Sequence, residues 1–216
     1  MRYGLIGSTG RMGREIKEVF AQHELVLEIS EEGRNETGVP EVIVDFSNRD
    51  VLPTTLGICR EFRSGLVIGT TALEDNDLAS LKELSKSYPV VQSYNFSVGI
   101  NILRILLRES REFFKGMDAE MIEVHHNKKK DMPSGTALIL KESLGMDIPI
   151  HSVRTGGVPG DHEIVFASEG EVIKISHRAI SRKVFALGAL RAAEFCRTVK
   201  SGLYSFEEVL RWTQKR

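Results

Sequence analysis

The sequence lacks the features that mark secreted, membrane and nucleic-acid-binding proteins. Only two cysteines occur in 216 residues, Cys59 and Cys196, and their apolar helical contexts predict buried free thiols and a cytoplasmic protein. No apolar run approaches the roughly 18 residues needed to cross a bilayer, and no signal-peptide pattern is seen at the N-terminus. Lysine plus arginine total 29 against 30 aspartate plus glutamate, so nothing predicts attraction to nucleic acid or to an anionic membrane.

Short apolar strands alternate with helices up to residue 96, which predicts a parallel sheet covered on both faces. The predicted strands are Arg2–Ile6, Leu25–Ile29, Val42–Val44, Leu66–Ile68 and Val90–Val91. The predicted helices are Arg14–Gln22, Asp50–Phe62 and Asp77–Lys86. The segment 30–41 is too polar for a strand or helix and is predicted to be a loop.

The pattern changes after Phe96 to helices mixed with antiparallel strands, which predicts a second domain of α+β type. Its predicted elements are Ile100–Phe114, Glu120–His126, Thr136–Leu144, Ile150–Arg154, Glu163–Ala167 and Val172–His177. A helix over Val184–Lys200 and another opened by the capping box Ser205–Glu208 are expected to complete the first domain. The predicted domains are therefore 1–96 with 183–216, and 97–182.

A glycine-rich turn joins the first predicted strand to the first predicted helix. It reads Gly7-Ser8-Thr9-Gly10-Arg11-Met12-Gly13, with the spacing G-x-x-G-x-x-G rather than the commoner G-x-G-x-x-G. Glycines there let the backbone approach a pyrophosphate at the helix N-terminus. The position predicts a dinucleotide site, and the alternative is a tight turn without a ligand. Arg11 lies where a phosphate would bind, or it is a solvated residue at the helix start.

The residues after the second strand decide how the adenosine end of a dinucleotide is held. Glu31 and Glu32 are candidates for the carboxylate that binds the ribose hydroxyls, and both can equally be solubilising charges. Arg34 and Arg49 are candidates for binding a 2′-phosphate. The sequence therefore predicts NADH or NADPH without choosing between them.

Three further loops follow strands at the carboxyl edge of the predicted sheet, where ligands bind in such folds. These loops are Asp45-Phe46-Ser47, Gly69-Thr70-Thr71 and Ser93-Tyr94-Asn95-Phe96. Their small and hydroxyl side chains suit a carboxamide and a ribose, although each loop taken alone also fits an ordinary turn.

The segment Glu123–Ala137 concentrates ionisable residues between a strand end and a helix start. Successive side chains of a strand face opposite ways, so His125 and His126 are expected to have different roles. One is predicted to move a proton, because the unperturbed pKa of histidine, about 6.5, lies near working pH. The other is predicted to hold substrate or frame the cleft. Zinc binding is the weaker alternative, since no H-E-x-x-H or cysteine pair accompanies the histidines.

The lysine run and the helix start that follow predict an anion site. Lys128 and Lys130 are interpreted as a solvated basic face. Ser134 is predicted to cap the helix, which leaves the backbone amides of Gly135 and Thr136 beside two hydroxyls and near a lysine. Such donors form a receptor for a carboxylate, and a capping residue can serve both purposes.

With these motifs the chain resembles the 4-hydroxy-tetrahydrodipicolinate reductase family, formerly called dihydrodipicolinate reductase, of bacterial lysine biosynthesis. The resemblance covers nearly the whole chain and is most specific in Gly7–Gly13, Gly69–Thr71, Asn95–Gly99 and Glu123–Ala137. The last segment contains the family signature H-H-x-x-K-x-D-x-P-S-G-T-A without a mismatch. The chain departs from the family by being shorter around 30–41 and by carrying Tyr94 where many members have proline.

The resemblance implies roles for the matched residues. His125 is implied as the proton donor and acceptor, and Lys129 as the second catalytic proton donor. The implied substrate-carboxylate site is His126, Ser134, Gly135 and Thr136. The predicted cofactor contacts are Gly7, Ser8, Thr9, Gly10, Arg11, Met12, Gly69, Thr70, Thr71, Ser93, Tyr94, Asn95 and Phe96, with Glu31 for the ribose.

The resemblance also implies an α/β fold with a Rossmann-type parallel-sheet domain and an α+β domain with a mixed sheet for substrate binding and oligomerisation. It implies a homotetramer that uses NADH or NADPH. In the family reaction, water leaves the 4-hydroxy substrate, hydride reaches the resulting imine, and the enamine is protonated. Two alternatives are a reductase of amino-acid semialdehydes and a non-catalytic nucleotide sensor. His125 and Lys129 in one segment with the Ser-Gly-Thr receptor argue against both.

Overall fold

The structure, a computed structural model, describes residues 1–213 and divides into two compact units. Unit 1 combines Met1–Phe96 with Phe185–Arg216, and unit 2 is Ser97–Val184. The strands are β1 (Arg2–Ile6), β2 (Glu24–Ser30), β3 (Gly33–Glu36), β4 (Val42–Asp45), β5 (Gly65–Ile68), β6 (Pro89–Gln92), β7 (Asp118–His125), β8 (Ile150–Arg154), β9 (Asp161–Ala167), β10 (Val172–Arg178) and β11 (Gly202–Ser205). The α-helices are α1 (Arg11–Val19), α2 (Leu52–Phe62), α3 (Asp75–Ser85), α4 (Val98–Ser110), α5 (Gly135–Leu144), α6 (Lys183–Cys196) and α7 (Phe206–Thr213).

Unit 1 is built on a seven-stranded sheet in the order β11-β6-β5-β4-β1-β2-β3. Neighbouring strands are parallel except β2 and β3. Every residue of β4 and β5 is buried, as expected for strands covered on both faces. The chain leaves β1 on one side for β2 and returns on the other side as β4, so the strand order reverses between β1 and β4. Ligands bind at the carboxyl edge of a sheet at such a point.

Two strands of unit 1 differ from the predictions. The prediction of a loop over 30–41 is wrong, because β3 lies there and pairs antiparallel with β2. Its four residues are all exposed and show no apolar alternation, so hydrogen bonding to the sheet edge decides the structure rather than side-chain pattern. The second strand, β11, lies directly before the capping box and pairs with β6. The capping box itself is confirmed, with Ser205 Oγ accepting from the Glu208 amide at 3.3 Å and the Glu208 carboxylate accepting from the Ser205 amide at 2.7 Å.

Unit 2 is built on a four-stranded mixed sheet in the order β10-β9-β7-β8, in which β7 runs parallel to β8 and antiparallel to β9. Its core joins residues of α4 and α5 to one face of the sheet. The core members include Leu103, Leu107, Met121, Leu140, Ile164 and Phe166. The opposite face carries partly exposed apolar side chains. The predicted fold class, a Rossmann-type parallel sheet with an α+β unit on a mixed sheet, is confirmed.

Two predictions from composition can be compared with the described residues. Cys59 in α2 and Cys196 in α6 are free and buried in unit 1, as predicted. Burial raises the pKa of the Cys59 thiol and raises that of Cys196 to about 12. None of the helices within residues 1–213 combines the length and the apolar character needed to cross a membrane.

Candidate active site

The glycine turn after β1 is shaped by close backbone packing. Gly7 has a φ of +78°, which strongly favours glycine, and its amide donates to the Ile29 carbonyl of β2 at 2.8 Å. A Cβ on Gly13 would lie 2.6 Å from the Ser8 carbonyl oxygen, so α1 packs directly on the turn. Gly10 is the N-cap of α1 and offers no side chain to the helix amides. The backbone amides at the N-terminus of α1 suit an anion such as a pyrophosphate.

A cavity of about 600 Å³ lies beside this turn. Its lining combines the ends of β1, β2 and β4 and includes Gly7, Thr9, Gly10, Ser30, Glu31, Phe46 and Ser47. Glu32 lines a different cavity of about 330 Å³ together with Arg34. The second cavity is lined by Ser8 and Thr9 as well, so both Glu31 and Glu32 share a cavity with residues of the glycine turn.

The other predicted cofactor residues differ in accessibility. Arg11, Thr71 and Tyr94 are exposed, Met12, Gly69 and Asn95 are half-buried, and Ser8, Thr70, Ser93 and Phe96 are buried. The Phe96 ring packs against Phe46 at 5.2 Å and Phe206 at 5.0 Å between ring centroids. The Thr70 hydroxyl donates to the buried Asp45 carboxylate at 3.2 Å. Phe96 and Thr70 therefore frame the loops, and their side chains are engaged within unit 1.

Both arginines proposed for a 2′-phosphate are already paired with carboxylates. Arg34 donates to Glu36 at 2.6 Å and to Glu61 at 2.8 Å. Arg49 donates to Asp77 at 2.5 Å and also pairs with Glu74. A phosphate at either guanidinium would compete with two carboxylates.

The candidate catalytic residues of unit 2 are brought together by the register of β7. Alternate residues of a strand share a face, so Glu123 and His125 point to the same buried side of the sheet. Strand pairing places Arg154 of β8 opposite His125 and His162 of β9 opposite Glu123. His126 lies just beyond the strand end and is half-buried.

Glu123 is a fully buried carboxylate at the centre of this group. Its Oε1 accepts from Arg154 Nη2 at 2.7 Å and from the Ser134 amide at 3.3 Å, and its Oε2 contacts His125 Nδ1. Burial raises the pKa of Glu123, but hydrogen bonds from Arg154 and Ser152 and the nearby positive charges outweigh it and lower the pKa to about 2. Glu123 is therefore ionised at neutral pH.

The two buried histidines lie against each other, with ring centroids 5.1 Å apart and an edge-to-face angle of 77°. Burial lowers the pKa of His125, Glu123 raises it, and Lys129 lowers it again. Burial lowers the pKa of His162 to about 3. His162 is therefore neutral, and its Nε2 lies 3.3 Å from Ser134 Oγ. His125 combines burial with a carboxylate partner, which suits a group that moves a proton.

The predicted carboxylate receptor at α5 already holds a carboxylate of the chain. Ser134 caps α5, with its Oγ accepting from the Ala137 amide at 3.2 Å. The Asp131 carboxylate lies 2.8 Å from Lys129 Nζ and also accepts from the Gly135 amide. Burial raises the pKa of Asp131, but Lys129 and backbone amides lower it by more, so the pKa lies below its ordinary value. The lysine and the amide thus converge on one carboxylate, as the sequence predicts for a ligand.

The sequence interpretation missed Arg154 and His162, and it gave Glu123 no role. Glu123 can be found from sequence, because it stands two residues before His125 in a strand. Glu123, His125 and His162 also offer ligand atoms within 4.8 Å of one another, the chemistry that the zinc alternative requires. Arg154 already neutralises Glu123, so the charge balance suits proton transfer better than a divalent cation.

Comparisons with known proteins agree over most of the chain. A family model described as dihydrodipicolinate reductase, C-terminus, matches residues 99–210, and one described as dihydrodipicolinate reductase, N-terminus, matches 27–96. A protein from Thermosipho africanus named 4-hydroxy-tetrahydrodipicolinate reductase is 51% identical over 213 residues, covering 98% of each chain. A protein of the same name from Clostridium tetani is 34% identical over 247 residues, covering 97% of each chain. The short form of this chain is thus shared with the T. africanus protein.

A solved structure described as dipicolinate-bound dihydrodipicolinate reductase from Paenisporosarcina sp. TG-14 has a TM-score of 0.79 and 22% sequence identity. The match covers 96% of this chain and 98% of that chain. Aspartate dehydrogenase from Thermotoga maritima matches with a TM-score of 0.52 at 15% identity, over 90% of this chain and 96% of that chain. At these identities both matches show a shared fold.

Proposed function

Because the chain belongs to the dihydrodipicolinate reductase family, we propose that it reduces 4-hydroxy-tetrahydrodipicolinate to tetrahydrodipicolinate with NADH or NADPH. The reaction consumes the substrate, the reduced dinucleotide and a proton, and it releases water, the product and the oxidised dinucleotide. The product enters the diaminopimelate and lysine pathway. The observation that supports the chemistry is the group formed by His125, Glu123 and Lys129 in unit 2.

The dinucleotide, when bound in unit 1, supplies the hydride. The fit rests on the positive φ of Gly7, the uncapped N-terminus of α1 at Gly10 and the adjoining cavity of about 600 Å³. Of the predicted contacts, the exposed or half-buried turn residues suit the pyrophosphate, and Glu31 suits the ribose hydroxyls.

The residues of unit 2 bind the dicarboxylate and supply a proton. His125 gives a proton to the enamine carbon, and Lys129 stabilises the electron-rich ring and acts as second donor. Lys129, with His126 and the Ser134-Gly135-Thr136 helix start, binds substrate carboxylate groups.

We also propose a homotetramer assembled through the outer face of the unit 2 sheet. This face carries Ile122, Val153 and Val172 with exposures of 39%, 42% and 60%, interspersed with charged residues. Apolar side chains on the outer face of a sheet are more stable against another subunit than in water. Light scattering on the purified chain tests the proposal, and a monomer at micromolar concentration would contradict it.

A coupled assay tests the function. The substrate is made enzymatically from aspartate semialdehyde and pyruvate, and nicotinamide absorbance is followed with NADH and NADPH in separate arms. Loss of absorbance only when the substrate is present is expected, and no oxidation of either cofactor would contradict the proposal. His125→Ala should lower turnover by about 100-fold or more, whereas His23→Ala, which changes a half-buried histidine of unit 1, is the matched control.

The same assay tests whether Glu31 binds the adenosine ribose of the cofactor. Glu31→Ala should raise the Michaelis constant for NADH more than that for NADPH, because only NADH presents a free 2′-hydroxyl. Glu32→Ala, which changes the neighbouring carboxylate of the other cavity, is the control. Equal effects of Glu31→Ala on both cofactors would remove Glu31 from the ribose site.

A further inference from the structure

The burial of the ionised Glu123 carboxylate costs folding free energy. The Glu123 side chain is 0% exposed and faces the core side of the unit 2 sheet. Burying an ionised carboxylate is costly unless partners replace its water. An apolar residue would fill a sheet position at lower cost, so the presence of a carboxylate points to the groups around it.

Those groups divide between the two carboxylate oxygens. Arg154, whose side chain is 7% exposed, and the Ser134 amide both donate to Oε1. Oε2 contacts the Nδ1 atom of His125, which is itself buried. Arg154 and the Ser134 amide thus hold Oε1, Oε2 contacts the His125 imidazole, and Ser152 is a further hydrogen-bond donor to the carboxylate.

The opposite edge of the His125 ring is kept clear by a glycine. Gly160 has a φ of +157°, and a Cβ built there would lie 3.0 Å from His125 Nε2 and 3.4 Å from its Cδ2. Any other residue would press on the nitrogen that Glu123 does not contact. The two ring nitrogens therefore have different surroundings, one held by a carboxylate and one beside a position without a side chain.

Building on the proposed function, we propose that Glu123 and Arg154 are positioning residues for His125. Glu123 accepts a hydrogen bond from Nδ1–H and thereby fixes the ring orientation and the tautomer, so that Nε2 is the nitrogen that exchanges the proton with substrate. Arg154 holds Glu123 ionised and in place. Gly160 keeps a side chain from crowding Nε2.

The charges that face His125 predict how the loss of Glu123 changes the pH profile. Glu123 lies on the same strand, Arg154 on β8, His162 on β9 and Lys129 in the following loop. Of these, only Glu123 favours protonated His125, while burial and the two cations oppose it. Removing the Glu123 charge should therefore lower the pKa at which His125 loses its proton.

The test is the pH dependence of kcat/KM in Glu123→Gln, with Glu112→Gln as the matched control. Glu112 is an exposed carboxylate of unit 2, outside the sheet, and pairs with Lys115 at 2.5 Å. In Glu123→Gln the alkaline limb should move to lower pH by about one unit, and kcat should fall by about 10- to 100-fold with a smaller change in KM. Glu112→Gln should leave both unchanged. An unshifted alkaline limb in Glu123→Gln would overturn the proposal.

A second measurement does not depend on activity. Nitrogen NMR of the wild-type chain reports which imidazole nitrogen of His125 carries the proton in the neutral ring, with His125→Gln used to assign the signal. Protonated Nδ1 is expected, and protonated Nε2 would overturn the positioning role. Full activity of His125→Ala would instead refute the proposed function of His125, so the two failures are distinguishable.

Discussion

The Lys129 ammonium lies 2.8 Å from the Asp131 carboxylate, two residues along the same loop. The Asp131 carboxylate also accepts from the amide of Gly135 at the start of α5. An acidic side chain of the protein thus occupies the donors that a substrate carboxylate is expected to use. Because of this contact, we expect substitutions of Lys129 and of Asp131 to change the Michaelis constant for substrate in opposite directions.

Lys129→Ala should raise the Michaelis constant for substrate and lower turnover together, by about tenfold or more in kcat/KM. The ammonium attracts a carboxylate in the ground state and stabilises the electron-rich ring in the transition state. Lys128→Ala and Lys130→Ala are matched controls, because both residues are exposed in the same loop. Steady-state kinetics on the three variants decide the matter, and equal small effects would mean that the run is only a charged surface.

Asp131→Asn should lower the Michaelis constant for substrate, because no charged side chain then has to leave Lys129 and Gly135. The expected change is about two- to fivefold, the range of a partly exposed ion pair. Asp147→Asn, which breaks the exposed pair with Lys141, is the control. A higher Michaelis constant in Asp131→Asn would mean that Asp131 orients Lys129 for the substrate.

Gly10→Val should weaken NADH and NADPH alike, by about tenfold or more in Kd, because a side chain at the N-cap of α1 obstructs the pyrophosphate. Gly10 is preferred over Gly7, whose positive φ would add backbone strain to any substitution. Gly57→Val in α2 is the control, since a Cβ there meets open space. Calorimetric affinities unchanged in Gly10→Val would show that the turn is structural only.

Unfolding should become easier as pH falls below neutrality. The unfolded His162 takes up a proton near pH 6.5, whereas in the folded chain its pKa is about 3. Stability is therefore lost as pH falls from 6.5 towards about 3, at about 1.4 kcal/mol per pH unit for one proton. Glu123, with a pKa lowered from 4.5 to about 2, adds a further loss in the lower range.

Urea unfolding at a series of pH values measures this slope. His162→Gln should make the free energy of unfolding less dependent on pH between pH 6.5 and about 4.5, above the range in which Glu123 takes up its proton. An identical slope in His162→Gln and the wild-type chain would contradict the assignment of the proton to His162.

The predictability of the fold differs between its elements for physical reasons. Sequence alone predicts the apolar strands β1, β4 and β5 and the capping box at Ser205, because local pattern and burial agree there. Sequence alone does not predict the exposed strand β3, since its pairing with β2 rather than its own residues makes it a strand. At the site, His125 and Lys129 follow from a local motif. Arg154 and His162 come from distant strands, and sequence alone does not give their register.

The burial of Cys59 and Cys196 gives unit 1 a built-in reporter of its opening. Both thiols are enclosed in unit 1, and unit 2 contains no cysteine. A thiol reagent reacts with the exposed thiolate, so its labelling rate follows the local or global opening of unit 1 and is silent to opening confined to unit 2. Variants of the histidine group can thus be checked for opening of unit 1 without introducing any probe into the chain.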